Sequence, residues 1–188
     1  MSRHDSLVAL LQERSVRHGD FTLASGRKSN LYIDARLTTM SPEGLALLGP
    51  LALSTIRGRG WQPDSAGGLT LGADPVAYAL SYASATAPPL VRAFSVRKEP
   101  KQHGTQKLIE GPFHAGDRVV VVEDVITSGA STLRAIDVLR QSEATVIGVL
   151  AVVDREEGGK ENLLESGVEL VSLVLAGELS RSPGPFTT

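Results

Sequence analysis

The sequence has 188 residues and a formal net charge of −2. This length suits one domain with a sizeable core, and so small a charge gives no global reason to expect nucleic-acid binding. The chain contains no cysteine, which excludes disulfides and thiolate chemistry. No apolar stretch approaches the roughly 20 residues of a membrane span, and residues 1–5 lack the basic and apolar regions of a signal peptide. We therefore expect a cytoplasmic protein that has neither a membrane nor a nucleic-acid partner.

The N-terminal segment predicts a helix followed by two short strands. Leu7, Leu10 and Leu11 indicate an amphipathic helix that reaches about residue 17, with His18 and Gly19 as its stop. Residues 21–23 and 31–33 are typical of short strands around a turn rich in Ser, Gly, Arg and Lys. Composition alone favours an ordinary solvated turn between them.

The next unit combines a capped helix over residues 41–58 with a strand over residues 64–69. A second helix follows, for which Asp74 and the proline after it predict the N-cap and the first helical position. Capping is a complete structural explanation of this turn. The functional alternative is an anion-binding loop, in which Gly72 and Ala73 present backbone amides at a helix N-terminus.

A strand over residues 90–96 leads into a cationic segment, residues 97–107, with almost no apolar anchor. One interpretation is a mobile, solvated loop. A loop of this charge could also close over a polyanionic leaving group, exclude water and stabilise the charge that develops there. Five residues of this segment are or can be cationic: Arg97, Lys98, Lys101, His103 and Lys107.

The most informative stretch begins with four consecutive valines, residues 119–122, which indicate a strand buried on both faces. This run ends in Glu123 and Asp124, which suit ribose hydroxyls or a divalent cation, and a small polar loop and a helical pattern follow. Loop amides and a helix N-terminus together form a phosphate site. A generic capped turn explains each part alone, and a nucleotide hydrolase would need a Gly-x-x-x-x-Gly-Lys-[Ser/Thr] loop, which the sequence lacks. The predicted phosphate-binding residues are Val125, Ile126, Thr127, Ser128, Gly129, Ala130 and Ser131.

The C-terminal part predicts a buried strand over residues 145–153, with Arg155 just beyond its carboxyl end. Open α/β sheets bind ligands at that edge, although an arginine in so charged a turn is usually solvated. A helix over residues 160–166 and a strand over residues 168–175 complete the alternation of strands and helices. Residues 180–188, rich in Ser, Pro and Gly, are expected to form a loosely ordered tail.

Taken in order, these motifs resemble those of the type I phosphoribosyltransferases, and specifically of the orotate phosphoribosyltransferases. Residues 119–132 resemble the ribose-phosphate signature, residues 21–36 the N-terminal hood segment, and residues 97–107 the catalytic loop. The resemblance implies an α/β fold with a parallel sheet and a small N-terminal hood. It implies one domain over residues 1–179, with the hood mainly in residues 1–38.

The resemblance also implies a reaction. Ribose 5-phosphate passes from phosphoribosyl pyrophosphate to orotate, giving orotidine 5′-monophosphate and pyrophosphate in the synthesis of UMP. Mg²⁺ is implied as cofactor, held mainly through the substrate with no direct protein ligand. Much of the catalytic loop acts on the neighbouring subunit in this family, which implies a homodimer with shared active sites.

The implied residue roles fall into four groups. The catalytic residues are Lys98, Lys101, His103 and Asp124. Phosphoribosyl pyrophosphate contacts these four residues and also Arg97, Glu123 and residues 125–131, while Gly72 and Ala73 form the pyrophosphate loop. Orotate contacts Thr127 and Arg155, with Lys28 as a further hood contact. Some relatives carry a lysine where this chain has Ala24, so that inter-subunit contact should be missing here.

Two other functions remain open from the sequence. A phosphoribosyltransferase for another base would share the phosphate loop, although the hood segment and Arg155 argue against it. A regulator that kept the fold in order to sense phosphoribosyl pyrophosphate and bind nucleic acid is a different class of protein. The acidic pI, near 6.1, and the cations of the catalytic loop count against it.

Overall fold

The computed structural model describes residues 1–22, 28–99 and 107–180. The expectations for Ala24, Lys101, His103 and nearly all of the tail therefore lie outside the described residues. In chain order the elements are α1 (Arg3–Arg14), β1 (Val16–Thr22), β2 (Lys28–Ile33), α2 (Arg36–Thr39), α3 (Pro42–Gly58), β3 (Ser65–Leu69), α4 (Ala73–Thr86), β4 (Arg92–Val96), β5 (Ile109–Glu110), β6 (Arg118–Ile126), α5 (Ala130–Gln141), β7 (Thr145–Asp154), α6 (Gly159–Glu165), β8 (Leu170–Leu175) and α7 (Ala176–Leu179).

A six-stranded sheet with the order β5-β4-β3-β6-β7-β8 forms the centre of the fold. Its neighbours pair in parallel, except that the two-residue edge strand β5 runs antiparallel to β4. This confirms the predicted parallel sheet; the short strand β5 was not anticipated. Because β3, β6 and β7 are parallel, their carboxyl ends meet at one edge, where α/β sheets bind ligands.

The valine run of β6 explains why helices cover both faces of the sheet. Val120 and Val122 pack into one apolar cluster, together with residues of α3 and α4. Val119 and Val121 point to the opposite face and pack with residues of α5 and α6. All four are fully buried, as a continuous β-branched run predicts for a parallel strand.

Strand β6 extends further than the sequence indicated. It continues through Glu123 and Asp124 to Ile126, because β7 pairs with it along this whole length. The two acids therefore belong to the strand itself, and the loop that follows it is short. The side chain of Ile126 is buried in the core, so a ligand could meet only its backbone.

The hood is an antiparallel ribbon of β1 and β2, in which Val16 pairs with Ile33. The prediction that the first helix continues to residue 17 was wrong, since α1 ends at Arg14. The Ser15 carbonyl accepts a bond of 2.9 Å from the Asp34 amide, and strand pairing takes over from residue 16 onward. Pairing with β2 thus ends the helix earlier than predicted, and His18 and Gly19 lie within β1 instead of at the end of the helix.

Asp74 is not the N-cap of its helix, as the sequence had suggested. Helix α4 begins at Ala73 with Gly72 in the cap position, so Asp74 is the second helical residue. Its carboxylate accepts a bond of 2.7 Å from Ser95 on β4, and the Ser95 hydroxyl lies 3.1 Å from that of Tyr78. Burial raises the pKa of Asp74, with the Ser95 bond opposing that shift.

None of the helices within residues 1–22, 28–99 and 107–180 is long and apolar enough to span a lipid bilayer.

Candidate active site

A cavity of about 520 Å³ opens at the carboxyl edge of the sheet. The hood forms one wall, the turn after β3 another, and the end of β6 with the start of α5 the floor. Its lining residues are Tyr32, Ile33, Asp34, Ala35, Arg36, Leu69, Thr70, Leu71, Gly72, Lys98, Glu123, Asp124, Val125 and Ser131.

Glu123 holds the start of α5 against the end of β6. Its side chain is buried, and its Oε2 accepts bonds from Ser131 Oγ at 3.1 Å and Thr132 Oγ1 at 3.3 Å. Burial, and then the adjacent Asp124 charge, raise the pKa of Glu123 to about 7. This carboxyl therefore exchanges a proton near neutral pH.

Asp124 faces the cavity beside Gly72. Its Oδ1 accepts a bond of 2.8 Å from the Val125 amide. Burial raises the pKa of Asp124, while this amide and the positive charge of Arg36 oppose the shift. A Cβ on Gly72 would lie 2.7 Å from Cγ of Asp124, so the glycine gives the carboxylate room to reach the cavity.

The predicted phosphate loop closes β6 onto α5. Gly129 occupies the N-cap position in the left-handed region, with φ of 77°, which favours glycine. The loop is anchored from α6, because Asn162 Nδ2 donates to the Ser128 carbonyl at 2.9 Å. Thr127 and Ser128 are exposed beside the helix N-terminus. Exposed hydroxyls beside an N-terminus suit an anion.

The turn after β3 forms the other candidate anion loop. Thr70, Leu71 and Gly72 line the cavity, and the Thr70–Leu71 peptide bond is cis. The Ala73 side chain is fully buried in the core, so this residue could offer a ligand only its backbone. Recognition at this loop would accordingly use the main chain.

Arg97 and Lys98, the first two residues of the cationic segment, have different surroundings. Lys98 lines the cavity. Arg97 instead contacts its own hairpin, with Nη1 3.7 Å from Glu110 Oε1 and Nε 3.4 Å from the Glu99 carbonyl. Arg97 is therefore not brought to the cavity formed within one chain.

Arg155 lies beneath the hood rather than in solvent. Its side chain is 8% exposed, and Nε lies 2.9 Å from Glu157 Oε1. Its Nη2 donates to the Leu31 carbonyl of β2 at 3.3 Å, so it connects the end of β7 to the hood. Neither Arg155 nor Thr127 is among the residues that line the cavity, and Lys28 lies with Asp20 at a separate hood depression.

Two charged residues of the cavity lining, Asp34 and Arg36, were not predicted as site residues from the sequence. Asp34 and Arg36 follow β2 directly, and Arg36 Nε and Nη2 contact the Asp34 carboxylate at 2.9 and 3.1 Å. The available signal was an Asp-x-Arg pair at the end of a strand. This pair gives only a weak signal, because β1 and β2 form a separate sheet and not the ligand-binding edge of the main one.

A divalent cation would find few protein ligands in this cavity. Within the described ranges, no group of three or more His, Cys, Asp or Glu side chains could hold a metal ion. Glu123 and Asp124 are adjacent, but one oxygen of Glu123 already accepts two hydroxyl bonds. This donor set fits a cation that enters with a phosphorylated ligand, which supplies most of the oxygens.

Comparisons with known proteins agree with this geometry. The phosphoribosyl transferase domain family model matches residues 42–165. The orotate phosphoribosyltransferase of Aquifex aeolicus is 44% identical over 182 residues, which cover 95% of this chain and 98% of that protein. The Mycobacterium tuberculosis orotate phosphoribosyltransferase, solved with Fe(III) dicitrate, has a TM-score of 0.84 at 39% identity and covers 96% of this chain and 100% of its own. A structure of the M. tuberculosis enzyme with 5-phospho-α-D-ribosyl 1-diphosphate has a TM-score of 0.81 at 36% identity, with coverage of 96% and 100%. The chain belongs to the orotate phosphoribosyltransferase family.

Proposed function

We propose that this chain is an orotate phosphoribosyltransferase that converts orotate and phosphoribosyl pyrophosphate into orotidine 5′-monophosphate and pyrophosphate. One observation carries the proposal: the acids at the end of β6 lie between two candidate anion loops. The loop before α5 suits the 5′-phosphate, and Gly72 before α4 suits the pyrophosphate. A ribose joined to both groups would place its hydroxyls against the acids.

Opposite charges develop on the two sides of the bond that breaks in this transfer. Cleavage of the bond from C1′ to pyrophosphate leaves positive charge on the ribose ring, as in other glycosyl transfers. Asp124 lies where it would orient the ribose hydroxyls and offset that charge. N1 of orotate forms the new bond to C1′ as the bond from C1′ to pyrophosphate breaks, and the N1 proton passes to a pyrophosphate oxygen or to solvent. The protein positions the base for this exchange.

The leaving group accumulates negative charge at the opposite end. Lys98 faces the cavity and can approach pyrophosphate, and we infer that Lys101 and His103 act on it as well. When bound, Mg²⁺ would neutralise pyrophosphate oxygens as a Lewis acid, with the Asp124 side of the cavity available to hold the ribose–metal unit. Glu123 serves this arrangement by holding Ser131 and Thr132 at the start of the phosphate loop.

The orotate site is proposed beneath the hood. Arg155 carries a planar fork that suits a carboxylate and carbonyl edge, and its bond to the Leu31 carbonyl keeps it next to the hood. We infer that Arg155 and Thr127 meet the base.

We further propose a homodimer in which the cationic segment completes the partner's site. Two observations support this: Arg97 contacts Glu110 and is not among the residues that line the cavity of its own chain, and the segment has little apolar content with which to pack. A cytoplasmic location and the absence of nucleic-acid binding stay predictions.

One assay tests the proposed function. Purified protein is supplied with orotate and phosphoribosyl pyrophosphate, with and without Mg²⁺, while orotate loss and orotidine 5′-monophosphate formation are followed. Turnover that depends on Mg²⁺ is expected, and parallel reactions with uracil, adenine and hypoxanthine should give little product. Preference for another base would show a different phosphoribosyltransferase. Ligand binding without turnover of any base would favour the regulator.

A further inference from the structure

The Asp34–Arg36 ion pair forms one corner of the cavity, on the hood side. Three bonds reach one carboxylate: the Arg36 amide at 3.2 Å and Nε at 2.9 Å both contact Oδ1, and Nη2 contacts Oδ2 at 3.1 Å. Such a fork fixes the plane of the guanidinium. These contacts employ Nε and Nη2, and the Nη1 group is not part of the pair.

The corner faces the end of β6. Both Asp34 and Arg36 line the cavity together with Gly72, Lys98 and Asp124. The positive charge of Arg36 acts on the Asp124 carboxyl and opposes the effect of burial on its pKa. Arg36 thus lies close enough to Asp124 to favour its ionised form, which is the form that can accept bonds from ribose hydroxyls.

The composition of the cavity indicates which ligand Arg36 would meet. The turn after β3, Lys98 and the strand-end acids, which we assign to phosphoribosyl pyrophosphate, all line it. Arg155 and Thr127, which we assign to orotate, do not. A guanidinium at this position therefore lies beside the ribosyl pyrophosphate, and its Nη1 group, which the Asp34 pair does not use, can donate to a phosphate oxygen.

We propose that Arg36 is a further substrate-binding residue, which contacts a pyrophosphate oxygen of phosphoribosyl pyrophosphate while Asp34 positions it. This inference rests on the proposed function and adds a cation from the hood to those of the catalytic segment. The alternative is that the pair only stabilises the turn between β2 and α2.

The test compares three changes at this corner with one control. Arg36→Gln removes the charge, Arg36→Lys keeps the charge but loses the fork, and Asp34→Asn removes the group that positions Arg36. The control is Arg14→Gln, which breaks an exposed 2.9 Å ion pair with Glu43 away from the cavity. Exposed pairs contribute little to stability, so all four variants should unfold at temperatures close to that of the parent.

We expect Arg36→Gln to raise the KM for phosphoribosyl pyrophosphate about tenfold or more, as loss of a charge-assisted bond does. The KM for orotate should change less than about twofold, since the base is bound by other groups. Arg36→Lys should lie between parent and Gln, Asp34→Asn should cause a smaller rise, and the control none. Equal rises for both substrates, a rise for orotate alone, or no rise would overturn the proposal.

A binding measurement separates this proposal from the proposed function. Calorimetric titration with phosphoribosyl pyrophosphate and Mg²⁺ in the absence of orotate needs no turnover. Weaker binding by Arg36→Gln but not by the control is expected. If the parent bound this ligand yet turned over no base, the proposed function would fail while the assignment of Arg36 would stand. Unchanged affinity in Arg36→Gln would reject the assignment even in an active enzyme.

Discussion

The Asp124 carboxylate packs directly on the backbone of Gly72, so the ends of two adjacent strands form one unit. Gly72 has φ of −60° and ψ of −42°, a conformation that any L residue adopts. The constraint is therefore one of space: an added Cβ would lie 2.7 Å from Cγ of Asp124. The candidate ribose-binding acid, Asp124, and the candidate pyrophosphate loop at Gly72 are therefore in direct contact.

Gly72→Ala tests this contact. The methyl group should displace the Asp124 side chain from the cavity and lower kcat/KM by about 10- to 100-fold, because small misplacements of catalytic groups have large effects. The matched control is Gly58→Ala at the end of α3, where an added Cβ meets nothing within 4 Å. Steady-state kinetics and thermal unfolding of both variants provide the measurement. Full activity in Gly72→Ala would show that Asp124 does not need its observed position.

Asp124→Asn tests the charge itself. The amide keeps the size of the side chain but cannot offset positive charge on the ribose, which should cost about 2–4 kcal/mol of transition-state stabilisation. We expect kcat/KM to fall by about 30- to 1000-fold, with a circular dichroism spectrum like that of the parent. A kcat/KM near the parent value in a folded variant would remove Asp124 from the mechanism.

The raised pKa of Glu123 predicts an unusual dependence of the free energy of unfolding on pH. Its pKa is about 7 when folded, against a value of 4.5 for an ordinary glutamate. Between these values the folded state binds more protons than the unfolded state, so this group's contribution is complete below pH ~4.5 and is lost as pH rises through ~7. Glu123→Gln removes the titration and keeps an acceptor for Ser131 and Thr132.

The free energy of unfolding of Glu123→Gln should therefore rise relative to the parent by about 2–3 kcal/mol between pH ~5 and ~8. Urea denaturation at several pH values measures this difference. Asp124→Asn provides a comparison, because removing its charge should lower the pKa of Glu123 and flatten the parent's profile. Parallel profiles for Glu123→Gln and the parent would contradict the shifted pKa.

The central sheet was predictable because its signals are local. The valines of residues 119–122 are typical of a parallel strand buried on both faces, and Ser41 does accept a bond from the Gly44 amide as an N-cap should. Failures occurred where a distant partner decides the outcome. Helix α1 ends at Arg14 because β2 pairs with the residues that follow.

The same distinction applies to the candidate site. The strand-end acids and both candidate anion loops could be located from the sequence, since each lies at a strand–helix junction. The bond of Asp74 to Ser95 and the burial of Arg155 against the hood depend on segments far away in the chain. The role of Arg36 was not apparent, because no local pattern reveals that the hood folds over the end of β6.

Arg155→Leu separates a base-binding role from a structural one. If Arg155 meets orotate, its loss should weaken orotate by about tenfold or more and leave phosphoribosyl pyrophosphate nearly unchanged. Calorimetric titration with each ligand measures both affinities. If the bonds to Glu157 and the Leu31 carbonyl are its only role, hood displacement should weaken both ligands alike and lower the unfolding temperature.

A mixing experiment decides whether the site is completed across a dimer. Lys101→Ala damages the cationic segment and Asp124→Asn damages the pocket, so each variant alone should have little activity. If the segment acts on the partner, a mixed dimer collects both lesions in one site and leaves the other site native. Random reassortment makes about half of the dimers mixed, each with one good site of two, so activity should recover to about a quarter of the parent's. If the segment acts within its own chain, every site keeps one lesion and mixing restores nothing.

Mass spectrometry of tagged chains must first show that subunits exchange. With exchange established, unchanged activity on mixing would refute the shared site.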